Sequence, residues 1–167
     1  VRRLVGSEMC IRDSFKNASL IKPSDSNTYT TLAKCYIDKG DKIAAQDAVV
    51  TAVEKNPESF DANFSAGQIL ARSGSNSSIV LPFYKKAAEI EPSNSKVLRE
   101  LAGTYYDLGN KEESITIFRN AISNEIDKIV KADLYFNLGV IYSQMCDYEE
   151  AEVAFDEAFF LNEEDFE

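Results

Sequence analysis

Histidine does much of the acid–base and metal chemistry of proteins at neutral pH, and this 167-residue sequence has none. The commonest general base and the commonest zinc ligand are thereby missing together. Carboxylates are plentiful, and Glu112-Glu113 and Glu149-Glu150 are adjacent pairs of them. Each stands where a helix is expected to begin, however, and the positive end of the helix dipole favours acids there without any catalytic reason. Gly103…Gly109-Asn110-Lys111 has a faint likeness to a phosphate-cradling loop. Its glycine spacing is wrong for one, and a chain reversal accounts for the residues at its end. Cys10, Cys35 and Cys146 are too scattered for a disulfide framework and fit a reducing compartment, so a cytoplasmic location is expected. Cys35 is expected as a small core residue of a helix and Cys146 in a turn. Asn17-Ala18-Ser19, Asn63-Phe64-Ser65 and Asn76-Ser77-Ser78 fit a glycosylation triplet, with only the last expected in a loop. No catalytic residue, metal or cofactor is predicted, and the chain is read as a non-enzyme.

Charge and hydropathy narrow the partners. The net charge is -10, with 18 basic and 28 acidic residues. From Asp147 onward acids occur without a single Lys or Arg, whereas the preceding segment is balanced. Phosphate backbones call for a basic surface, so nucleic acid is not expected as a ligand. The acidic end suits a basic partner or, more plainly, a solvated outer helix face. No apolar stretch approaches the roughly 20 residues that span a bilayer, so membrane insertion is not expected.

The elements that would position any site come from a repeat. A small residue after a bulky one, followed three places on by an aromatic residue or leucine, recurs as Leu32-Ala33…Tyr36, Ala66-Gly67…Leu70, Leu101-Ala102…Tyr105 and Leu138-Gly139…Tyr142. Successive copies are 34, 35 and 37 residues apart, a period that predicts stacked supersecondary units. Each unit reads as two amphipathic helices joined by a tight turn. Gly40, Gly74 and Gly109 close first helices, where a residue free to take positive φ reverses the chain. Pro57 and Pro92 follow second helices, which they cannot continue. Second helices carry Val49, Tyr84, Phe118 and Phe155, each followed three places later by alanine: Ala52, Ala87, Ala121 and Ala158. The boundaries expected are 26–59, 60–94, 95–131 with a longer linker, and 132–165. Residues 15–25 read as the end of a truncated repeat and 166–167 as the start of another. Residues 1–14 follow no part of the pattern and resemble translated adapter readthrough. Two local departures are expected: Pro82 should delay or kink its helix, and Asp127 should cap a first helix lengthened by about one turn.

This combination resembles the tetratricopeptide repeat, most closely in the fourth copy through Tyr135, Leu138, Gly139, Tyr142, Tyr148, Ala151, Phe155 and Ala158. The resemblance implies an all-α fold, an α-solenoid of antiparallel helix pairs in a right-handed superhelix, whose inner surface of first helices holds a peptide or partner protein. Residues displaced from the core stripe of the first helices would face that groove. They are Asn27, Thr30, Thr31 and Lys34 in the first copy, and Asp61, Phe64, Ser65 and Gln68 in the second. The third copy offers Lys96, Arg99, Glu100 and Tyr106, and the fourth Asp133, Phe136, Asn137 and Val140. Lys34, Phe64, Gln68, Arg99, Tyr106, Phe136, Asn137 and Val140 are the predicted groove site, with Phe64 and Phe136 having packing against the neighbouring repeat as their other role. Glu100 stands where a cation would be needed to clamp a terminal carboxylate. The function expected is a protein–protein interaction scaffold. The alternatives are a recruitment region of a multidomain enzyme such as a transferase, and self-association through exposed repeat ends.

Overall fold

The structure, a computed structural model, describes residues 26–163, so the expected leader and the two truncated repeats lie outside the described residues. Among those described there are eight helices and no strand. Two compact units divide the chain, residues 1–90 and 91–167, and each holds two helix pairs.

In the first unit α1 (Ser26–Asp38) and α2 (Lys42–Lys55) form one hairpin, α3 (Phe60–Ser73) and α4 (Ser77–Ile90) the next. α1 packs on both α2 and α3, and α3 also on α4. Contact with the next helix and with the next but one is the stacking that the repeat predicts. Leu32, Ala33 and Val49 of the first pair, and Ala66, Leu70 and Tyr84 of the second, are buried. Ala52 is fully covered, and its carbonyl accepts a hydrogen bond from Ser26 Oγ at 2.8 Å. A side chain no larger than alanine is what lets α1 come this close.

The second unit repeats the plan with α5 (Ser95–Asp107), α6 (Lys111–Asn124), α7 (Lys128–Gln144) and α8 (Tyr148–Glu163). Here α5 packs on α6 and α7, and α7 on α8. Leu101, Phe118, Leu134, Leu138 and Tyr142 are buried.

The turns follow the sequence closely. Gly40, Gly74 and Gly109 all have positive φ. In the fourth hairpin the same position is Cys146, the one non-glycine residue with positive φ (65°) among those described. An L side chain is disfavoured there. Helix starts are capped by Asp41, Ser59 and Asn94 side chains. The lengthened α7 begins as expected, with Asp127 accepting from the amides of Ile129 and Val130 at 2.9 and 3.1 Å. Glu125 organises the linker ahead of it. One carboxylate oxygen takes the amides of Ile126 and Asp127, both at 2.9 Å, and the other accepts from the Ser95 hydroxyl at the start of α5. The Ser95 hydroxyl first, then the amides, hold Glu125 below the usual carboxylate range.

One expectation is met only in its late start, and one needs correcting. α4 begins one residue later after its glycine than its counterparts do, but it runs through Pro82 to Ile90 as one helix. Pro82 is exposed, so water can serve the carbonyl that loses its partner. Cys35 is only half-buried and not a core residue.

Candidate partner-binding surfaces

Each unit presents its own first-helix face. In the first unit Lys34 of α1 and Gln68 of α3 line a cavity of about 240 Å³, together with Ile37, Asp38, Ser65 and Arg72. Lys34, Asp38 and Arg72 are exposed, so two cations and one carboxylate ring a small polar hollow. Phe64 lies apart from that lining. Its ring stacks on Phe60 at 5.5 Å and tilts against Tyr84 at 6.0 Å, which leaves it half-buried.

In the second unit Phe136 is 55% exposed although its ring tilts against Phe155 at 5.6 Å. Asn137 and Val140, next to it on α7, are half-buried. The Asn137 amide donates to the Asp133 carbonyl of its own helix at 2.6 Å, which fixes its orientation. On α5, Arg99 is half-buried with Nη2 3.5 Å from Glu100 Oε1. Tyr106 holds the Lys111 ammonium 6.0 Å from its ring centre. Both side chains are thus engaged by neighbours within the unit.

The ring contacts of the two phenylalanines lie within their own hairpins. Each rests on the large aromatic of its own second helix, Phe64 on Tyr84 and Phe136 on Phe155. Three residues on in each first helix is a glycine, Gly67 or Gly139, where an added Cβ would strike that same ring. Two of the wider groove residues, Thr30 and Ser65, are buried, and Ser65 shows only at the wall of the small hollow. The Thr30 hydroxyl donates to the Ser26 carbonyl of its own helix at 3.1 Å. Asn63 is 2% exposed, with its amide donating to the carbonyls of Pro57 and Ser59, so its triplet is closed to glycosylation.

Sequence reasoning missed a cavity of about 670 Å³ in the second unit. It lies along α7 between α6 and α8, lined by Arg119, Ile122, Lys131, Tyr135, Leu138, Tyr142, Glu149, Glu150 and Val153 among others. Arg119 Nη2 donates to Tyr142 Oη at 2.7 Å. Burial, and then the charge of Glu157, push the Tyr135 hydroxyl up. The signal available was the surplus of acids along α8, which reads equally well as a solvated face. Among the described residues there is no group of three or more side chains arranged to hold a metal. No described helix is long and apolar enough to cross a membrane.

With this geometry in place the comparisons are specific. A family model for the tetratricopeptide repeat matches residues 132–165, and a second tetratricopeptide-repeat model matches 98–125. The chain carries tetratricopeptide repeats. Solved structures share the fold of this tetratricopeptide-repeat chain. MamA superposes with a TM-score of 0.83 over 98% of this chain and 94% of its own, at 18% identity. MamA residues 41 to the end from Desulfovibrio magneticus RS-1 give 0.84 over 99% and 90%, at 17% identity. YrrB, a TPR protein with an unusual peptide-binding site, gives 0.78 over 95% and 80%, at 19% identity. No curated protein sequence matches the chain.

Proposed function

We propose that this chain is a non-catalytic interaction module whose first helices hold a peptide or partner protein. The observation that carries the reading is Phe136: a large aromatic side chain kept more than half exposed, braced from behind by Phe155, with Asn137 and Val140 beside it on α7. Exposed aromatics with a rigid backing and adjacent polar groups are the residues that dominate interface energies. In the first unit the hollow formed by Lys34, Gln68 and Arg72 offers a complementary polar contact. The tetratricopeptide repeats and the peptide-binding site of the structurally similar YrrB support a peptide as ligand. The acidic balance of the chain argues against nucleic acid.

Selection from a random peptide library on the immobilised chain, followed by calorimetric titration of the selected peptide, tests the proposal. Phe136→Ala is expected to weaken that peptide by more than about 1 kcal/mol. A library that yields no saturable ligand, or a ligand that ignores Phe136→Ala and Lys34→Ala alike, overturns it.

A further inference from the structure

We infer that the cavity between the second helices α6 and α8 is a separate docking site for a basic, apolar-rich segment of another protein. It belongs wholly to the second unit and shares no lining residue with the Phe136, Asn137 and Val140 surface. At about 670 Å³ it falls within the size range of ligand-binding clefts. One stripe of α7, Tyr135, Leu138 and Tyr142, supplies its base, with Ile122 from α6 and Val153 from α8 at the sides. Val153 is 62% exposed, an apolar side chain facing an open groove.

Charge selects the occupant. Of the two cations in the lining, Arg119 is committed to Tyr142, donating to its hydroxyl at 2.7 Å and lying 6.0 Å from its ring centre. Lys131 is half-buried on α7. The acids are differently placed. Glu149 and Glu150 occupy the first turn of α8, and among the described residues neither makes an ion pair. Glu157, further along α8, adds its charge beside Tyr135. The lining itself carries two cations and two carboxylates, and the negative excess beside the groove comes from α8, whose Tyr148–Glu163 segment bears acids and no Lys or Arg. Aliphatic side chains would cover the tyrosine and leucine base, and Lys or Arg at the edge would meet the α8 carboxylates.

The test uses a fluorescein-labelled peptide of Leu, Lys and Ala in amphipathic-helical order, and its counterpart with Glu in place of Lys, titrated by anisotropy at physiological salt. Only the Lys peptide is expected to bind saturably. Glu149→Gln/Glu150→Gln, and separately Val153→Asn, are expected to weaken it by roughly fivefold or more. Glu112→Gln/Glu113→Gln removes the same charge from the first turn of α6, outside this cavity, and is expected to change affinity by less than about twofold. All five positions are exposed, and circular dichroism of each variant checks that the helices persist. Absence of saturable binding, equal weakening by the two charge-removing pairs, or unchanged affinity in Val153→Asn would each overturn the site.

Discussion

Gly139 and the ring of Phe155 fill one space: a Cβ built on the glycine would lie 2.7 Å from Phe155 Cε1. The same relation joins Gly67 to Tyr84 at 2.5 Å. In both hairpins the missing side chain lets the aromatic of the second helix come close against the first helix, and the ring in turn touches Phe136 or Phe64. Gly139→Ala and Gly67→Ala should each destabilise the chain by about 1–3 kcal/mol through overpacking. Gly103, also helical, meets nothing within 4 Å, so Gly103→Ala should stabilise by up to about 1 kcal/mol. Urea unfolding of the three variants checks the contrast, which disappears if helix propensity alone decides.

Cys146 takes the left-handed turn that glycine takes in the other three hairpins, with φ of 65°. Cys146→Gly should stabilise by about 1 kcal/mol by removing the steric cost of a Cβ in that region. Cys146→Ala keeps the Cβ and should give no gain. Thermal unfolding under reducing conditions reads the difference, and equal midpoints for the two variants would show that the thiol, not the backbone, sets the effect.

The hairpins were legible because their determinants are local. Glycine at the turn, proline after the second helix and Asp127 ahead of α7 each act within a few residues. Surfaces were legible only where helical phase alone decides exposure, as for Lys34 and Phe136. Thr30 and Ser65 lie one position from that phase boundary, and packing of adjacent helices covers them. The α6–α8 cavity could not be read at all. Its lining comes from three helices, and Arg119, Glu149 and Glu150 taken singly look like ordinary solvated charges.

Glu125 ties the start of α5 to the α6–α7 linker, and its folded-state pKa is lowered, first by the Ser95 hydroxyl. A lowered carboxylate pKa means that the ionised form favours folding. That contribution is complete above the unfolded value of about 4.3 and is lost as pH falls through the lower folded value. The stability gap between the natural chain and Glu125→Gln should therefore be widest near neutrality and shrink below about pH 4.3. Denaturant melts at neutral and acid pH measure it. A gap that stays constant would assign the effect to lost hydrogen bonds alone.

Phe64 and Phe136 occupy equivalent positions yet should respond oppositely to truncation. Phe64 is half-buried between Phe60 and Tyr84, whereas Phe136 touches one ring and keeps 55% of its surface in solvent. A core Phe→Ala costs about 3–5 kcal/mol. Partial burial scales this to about 2 kcal/mol for Phe64→Ala and about 1 kcal/mol for Phe136→Ala. For a ligand selected on the first-helix face the order reverses, because the exposed ring has more surface left to bury on binding than the packed one. Paired measurements of unfolding free energy and peptide affinity on the two variants separate the roles. Should Phe136→Ala cost more stability than Phe64→Ala and leave binding intact, Phe136 would be a packing residue and the second unit's first-helix face would lose its anchor.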